Sequence, residues 1–540
     1  MRRTLLVAAV LAVAAMAPVT MTPAAVAQTA DEEPFAPVNR RVESSDLTPV
    51  QLSEDPWAGI DTQTIAKWLA AQNLPPRSPA LARLWRRLML SAPSPSGRQP
   101  AGEDLVALRL EALFRSGLLN EMREALGKGS GQGGTTQLWR ARIDIGLGAR
   151  ETGCQALTGA LDSHLSKPLR AEKQLLTGYC AAVAGDTAAA ALAASLAREE
   201  GSQADLALAV LETLDGGVDK RPPVPDRLTL IDYRVLELTG PIDSAQALAK
   251  GDPALLVALA ASTALEPKVQ VAAADAALRL NAMTAEAVAG VYRRLASPGK
   301  SGAATADPAL HRALLFRAME ETQTPTARAK LLRTLLDDAR RAGVLLQTAA
   351  MLTPVLSNLW PEPETRPLAE AMVQIALAGG ELDLARRWAE SAANLQHWLA
   401  LTDIADPQAR DLQRPALVAI EDLLQRGRLP PALLHRTVSL LDALGITVPL
   451  PLWEAAGRIP QPAGGYLPPT GVLGELSKAS EQKQAGRTIM IVLQALGPDG
   501  PEGSNTLALS DAIRALRRAG LQAQARRLAL EALFAAWPRT

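Results

Sequence analysis

Cysteine is nearly absent, with two residues in 540. The two lie far apart in sequence, so the tight C-x-x-C spacing of dithiol redox chemistry is missing. Aromatic residues make up only 3% of the chain, and acidic and basic side chains balance at 56 each. That balance removes the electrostatic case for a nucleic-acid partner. Beyond the first 30 positions no 18 residues in a row are apolar, so no retained membrane span is expected. Runs of alternating Val, Ile and Thr are almost missing, which leaves little from which to make strands. Catalytic signatures are equally scarce. There is no G-x-S-x-G, no H-E-x-x-H and no zinc-spaced cysteine pair. The four histidines (His164, His311, His397 and His435) stand alone, and Asp and Glu are spread over helix surfaces. No catalytic, cofactor-binding or metal residue is assigned, and no cofactor is expected.

What is present begins with an address. MRRTLLVAAVLAVAAMAPVTMTPAAVAQTA has a basic start at Arg2 and Arg3, an apolar stretch and Ala25-Val26-Ala27 before Gln28. That order is that of a cleavable secretory signal peptide over 1–27, directing the chain to the periplasm. The paired arginines leave the general and twin-arginine routes both open. No cysteine follows the apolar run, so a bacterial lipid anchor is not expected. The Arg- and Ala-rich composition fits a G+C-rich bacterial genome. Residues 28–55 are polar, acidic and proline-containing, and are expected to be a disordered leader.

The remainder has helical period nearly throughout, as in DLVALRLEALFRSG and LARRWAESAANLQHWLALTDI. It divides into a helical pair at 56–90 with Asp61 and Ser78 as caps, a linker at 91–103, and a helical block at 104–297. A second linker at 298–309, a second block at 310–458, a linker at 459–471 and a C-terminal helical block at 472–540 follow. At this length one core is not enough, and a helical chain so poor in aromatics must bring helices together on Ala, Gly and Leu. Glycines supply a register. Five residues after Gly148, Gly185, Gly380 and Gly520 stand Gly153, Ala190, Ala385 and Ala525; twelve after them stand Ala160, Ala197, Ala392 and Ala532. Five and twelve differ by two helical turns, which places both small residues on one face of a second helix.

This arrangement resembles the tetratricopeptide repeat, whose helix pairs turn at a Gly-Asp-like corner with small residues at those offsets. Gly178 matches the small residue of the family's first helix. Gly148 to Gly185 and Gly343 to Gly380 each span 37 residues, near the family's roughly 34. The family's early Trp and closing Pro are missing from these copies. The resemblance implies an all-α fold, an α-solenoid of antiparallel helix pairs with an extended concave surface.

Cys154 and Cys180 fall in this pattern. A helix expected over 151–166, broken at Pro168 and followed by one from 169 to 184, places each cysteine 13 positions from Lys167 and level with the other. In an oxidising compartment they would form a disulfide; otherwise they are two buried thiols. Other motifs have ordinary explanations. GKGSGQGG carries G-x-G-x-x-G at Gly129, Gly131 and Gly134 but follows a helix instead of a strand. Ser480 and Lys483 form S-x-x-K without its companion motifs. LARLWRRLML, with Arg83, Arg86 and Arg87 around Trp85, is either a core-facing helix or one that touches an anionic surface.

The expected function is therefore binding: an exported, non-catalytic periplasmic scaffold for protein partners of the cell envelope, with oligomeric state left open. An envelope glycan-acting enzyme, or its accessory subunit, with a site assembled from residues distant in sequence, is the alternative, and self-assembly through terminal helices a third.

Overall fold

The computed structural model describes residues 56–58, 60–91, 103–128, 133–160, 165–214, 222–296 and 305–539. The expected signal peptide and leader, most of the first two linkers, the middle of GKGSGQGG with Gly129 and Gly131, and His164 lie outside the described residues. Among the described residues there are 28 α-helices and no strand. Two isolated parallel bridges, Leu228 with Gly251 and Tyr466 with Ser504, are the only β pairing there. The described residues belong to one compact unit.

Local chemistry sets the helix ends. The Asp61 side chain accepts from Thr64 N and opens Thr62–Ala71, and Ser78 accepts from Leu81 N and opens Pro79–Leu90. Asp186, Asp252, Thr284 and Asn505 start later helices in the same way. Proline occupies the first turn of several helices, where its missing N–H costs nothing. At the other end, Gly148, Gly185, Gly343, Gly380 and Gly520 all have φ between 71° and 89°, the left-handed conformation that stops a helix.

Neighbours in sequence pack as neighbours in space. Gly134–Gly146 lies on Arg150–Thr158, Lys167–Val183 on Thr187–Glu199, Pro253–Ala261 on Pro267–Arg279, and Ala369–Gly379 on both Leu345–Leu356 and Leu382–Glu390. Longer-range packing then joins the ends. Pro79–Leu90 packs against Ala485–Leu496 and against Gln522–Phe534, the last helix of the chain. Pro431–Leu444 packs on Thr506–Arg518, and Leu399–Ala405 on Gln522–Phe534. Side chains fasten these contacts: Asn281 Nδ2 donates to the carbonyls of Pro76 and Arg77, and Arg436 donates to those of Glu502 and Ser504.

The segment 459–471 is pinned as well as connecting. Tyr466 N donates to Gly503 O at 2.8 Å, and Asn505 N to Tyr466 O at 2.8 Å.

Two expected helices are shorter than their sequence period suggests. The helix carrying Cys154 is Arg150–Thr158 and does not continue to Ser166; Gly159 turns there with its N–H on Ala156 O. Ala160 is therefore buried just beyond the helix and not on it. The run from Leu382 breaks after Glu390, where the Ser391 hydroxyl donates to Trp388 O and competes for the helix carbonyl. Ala392 is extended (φ −150°, ψ 134°) and only partly buried, so it does not lie on a helix face. In the other two copies Ala197 and Ala532 are buried within Thr187–Glu199 and Gln522–Phe534.

Candidate functional site

Cys154 and Cys180 are joined: S–S is 2.00 Å and the Cα atoms are 5.7 Å apart. The bridge ties Arg150–Thr158 to Lys167–Val183. The glycines beside it act through space. A Cβ at Gly153 would sit 2.7 Å from Ile145 Cγ1, 2.9 Å from Ile145 N and 3.0 Å from Ala141 O, so only a hydrogen side chain lets its helix lie this close to Gly134–Gly146. A Cβ at Gly178 would meet Ala190 O at 3.1 Å and Ala193 Cβ at 3.4 Å. Ala190, Ala385 and Ala525 are fully buried. Gly153→Ala is expected to cost about 1–3 kcal/mol, because backbone atoms must move to admit the methyl group. Thermal melting reads this; an unchanged midpoint would show that the pair of helices can separate freely.

A strongly perturbed carboxyl lies where the last helix meets Pro79–Leu90. Glu531 sits in Gln522–Phe534 among buried Leu528, Leu530, Ala532 and Leu533. Its Oε2 accepts from Ala80 N at 2.7 Å, at the buried first turn of Pro79–Leu90, whose N–H groups have no partner within the helix. Burial pushes its carboxyl up to about 7; bonds from Ser78 and Ala80 and the charge of Arg83 oppose this, and Glu502 adds to it. A cavity of about 20 Å³ adjoins it, lined by Arg83, Leu346, Ala378, Arg527, Leu530 and Glu531. That volume holds about one water. The site fits helix capping and is too small for a sugar ring.

The pH consequence has a definite sign. The folded chain holds the Glu531 proton more tightly than the unfolded chain, so stability is lost as pH rises from about 4.5 to about 7 and then stays level. Glu531→Gln keeps an acceptor for Ala80 N and removes the loss. It is expected to raise stability at pH 8 by about 2–3 kcal/mol and to flatten the pH dependence between 5 and 7. Urea midpoints at pH 5 and pH 8 check it; a variant less stable than wild type at pH 8 would mean that the ionised carboxylate is the stabilising form.

A second buried cluster draws on four helices. Arg312, fully buried, pairs with Asp275 through Nη1 and with Asp338 through Nε at 2.9 Å. Asp275 also receives Arg279, and Tyr292 reaches it at 3.5 Å. Burial works against the Arg312 charge, but Asp275, Tyr292 and Asp338 outweigh it and hold the guanidinium above its ordinary value. Burial and then the Asp275 charge push the Tyr292 phenol up. The Arg312 charge is thus answered within the chain by Asp275 and Asp338, although its Nη2 is buried without a hydrogen-bond partner.

The remaining candidates fall into structural roles. The Ser480 hydroxyl is buried and donates to Ser477 O, while Lys483 lies past the end of its helix at φ 54°, so the two do not sit on successive helical turns. His397 Nε2 is 2.9 Å from Pro538 O, and burial lowers its pKa; His435 Nε2 is 3.0 Å from Ile459 O. Trp85 is buried and donates to Ser116 Oγ, and Arg86 pairs with Glu121, so the Trp/Leu face of this helix is core. Among the described residues no three His, Cys, Asp or Glu side chains could together hold a metal ion, and no helix is long and apolar enough to cross a membrane.

Glu531 and Arg312 were not singled out from the sequence. LALEALF carried a signal, because a carboxylate with apolar neighbours on both sides within a helix has no wet face to occupy. AAADAALRL around Asp275 carried the same one.

The fold defines the class: an all-helical protein held by helix pairs and one disulfide. Comparison of the chain with protein-family models, curated proteins and solved structures finds no match.

Proposed function

We propose that the chain is an exported, periplasmic helical-repeat scaffold, a degenerate tetratricopeptide-like α-solenoid that binds protein partners of the bacterial cell envelope without catalysis. The observation that carries this reading is the Cys154–Cys180 disulfide set between glycine-turned helix pairs. A structural disulfide belongs to an oxidising compartment, in agreement with the expected signal peptide. Helix pairs that bury their faces on their neighbours leave binding to an outer surface. The small cavity at Glu531 and the internal pairing of Arg312 speak for structure over chemistry at these two groups.

Fractionation of the native bacterium tests the address. The chain is expected in the periplasm, beginning near Gln28, with both cysteines protected from alkylation until reduced; a cytoplasmic chain with free thiols would overturn it. In-cell crosslinking followed by mapping of the linked residues tests the partner. Reproducible links to one envelope protein are expected, and purified chain that instead cleaves an envelope polymer would overturn the non-catalytic reading.

A further inference from the structure

The Cys154–Cys180 bridge joins two helices that are held very unequally. Arg150–Thr158 has 9 residues, of which only Gly153 and Leu157 are buried. A helix this short is marginal without outside support. Lys167–Val183 has 17 residues, buries Ala171, Leu175, Leu176, Gly178 and Tyr179, and packs along Thr187–Glu199. The covalent link therefore carries a weakly seated helix on a firmly seated one. Opening it frees the first and leaves the second in place.

The sulfurs are also within reach of a reagent. Cys154 and Cys180 are both only partly buried, and bridges that are not sealed in a core are the ones open to thiol–disulfide exchange. The two ends differ as leaving groups. Cys154 stands one helical turn after Arg150, whose pair with Glu237 is long at 3.7 Å, and a cation at that spacing stabilises a thiolate. Cys180 lies in the last turn of Lys167–Val183, where the carbonyl end of the helix disfavours one. Cys154 is the better leaving thiolate.

We propose that this bridge is a redox latch: a dithiol opens it by attack on Cys180 and releases Arg150–Thr158 from an otherwise folded chain. Release uncovers the part of Gly134–Gly146 around Ala141 and Ile145 that Gly153 now approaches. A thiolate of the dithiol bonds to Cys180 Sγ, the bond between the two cysteine sulfurs breaks, and Cys154 leaves as the thiolate. The second thiolate of the dithiol then attacks the first sulfur of the same dithiol and expels Cys180. Two electrons pass to the bridge, the two cysteines take up two protons, and the dithiol departs as its own disulfide. The chain is the substrate of this exchange and not its catalyst, so it needs no C-x-x-C. The latch stands independently of the scaffold reading.

Treatment of the purified chain with dithiothreitol in the absence of denaturant tests it, followed by alkylation and by hydrogen-exchange mass spectrometry. Both cysteines are expected to become alkylated. Amides of Arg150–Thr158 should then exchange at least about tenfold faster than in the bridged chain, with Lys167–Val183 and Gln522–Phe534 unchanged, and reoxidation should restore them. Cys154→Ala with Cys180→Ala, a chain with no bridge to reduce, should show the same local exchange without reductant. Glutathione, a monothiol that stops at the mixed disulfide, should be trapped on Cys180. A bridge that opens only in denaturant would overturn the latch, as would exchange that stays unchanged or rises throughout the chain. Glutathione trapped on Cys154 would overturn the direction of attack.

Discussion

Arg312→Met is expected to cost about 3–5 kcal/mol of stability, the largest loss of any single substitution considered for this chain. Arg312 projects from Pro308–Glu321 to Asp275 on Pro267–Arg279 and to Asp338 on Pro325–Arg341, so one guanidinium holds three helices. Methionine keeps much of the aliphatic stem and removes the charge. Asp275 and Asp338 are then left facing each other across an interior where burial penalises unpaired charge. Asp275 keeps Arg279 at 3.0 Å, whose guanidinium is partly in water, whereas Asp338 keeps only the exposed Arg341 at 3.5 Å. Most of the cost therefore comes from stranded carboxylates, not from the loss of attraction. A second variant separates the two causes. Arg312→Met combined with Asp275→Asn and Asp338→Asn should recover most of the loss, since neutral amides strand no charge. Chemical denaturation of the two variants beside wild type measures it. A single variant within about 0.5 kcal/mol of wild type would show that the cluster is neither dry nor holding the helices.

How far the sequence carries depends on whether the information is local. The helical class follows from a 3.6-residue period and the lack of alternating β-branched runs, both visible in any window of the chain. Gly148, Gly185, Gly380 and Gly520 are legible as turns because the left-handed conformation they adopt is cheap only for glycine. Asp61 and Ser78 are legible as caps for the same local reason. Helix ends inside favourable sequence were harder. The run from Leu382 ends at Glu390, where the Ser391 hydroxyl is bonded to Trp388 O, and Ala392 leaves its expected face. The contacts that join the ends were not legible at all. Glu531 meets Ala80 across 451 residues, and Asn281 meets Pro76 across 205. Composition around Glu531 signals burial, yet it carries nothing about which helix end the carboxylate caps.

The cysteine pair lies between these extremes, since its partner was legible although the helix leading to it was drawn too long. Removing the bridge by Cys154→Ala with Cys180→Ala is expected to cost about 3.5 kcal/mol, from the entropy that closing this loop takes from the unfolded chain. The bridge spans 26 residues and holds the short helix Arg150–Thr158, whose other anchor is the close approach of Gly153 to Ile145. Both cysteines are only partly buried, so exchange to alanine sacrifices little packing. That makes the link itself testable. If the energy resides in the covalent closure, Cys154→Ala and Cys180→Ala alone must each cost nearly as much as the pair, because either one opens the loop. Hydrogen exchange should place the loss first in Arg150–Thr158 and leave Gln522–Phe534 protected, since the last helix is fastened by Glu531 and by packing on Pro79–Leu90. Additive single-site costs would instead locate the energy in side-chain packing, and the bridge would then be a by-product of helices already held together.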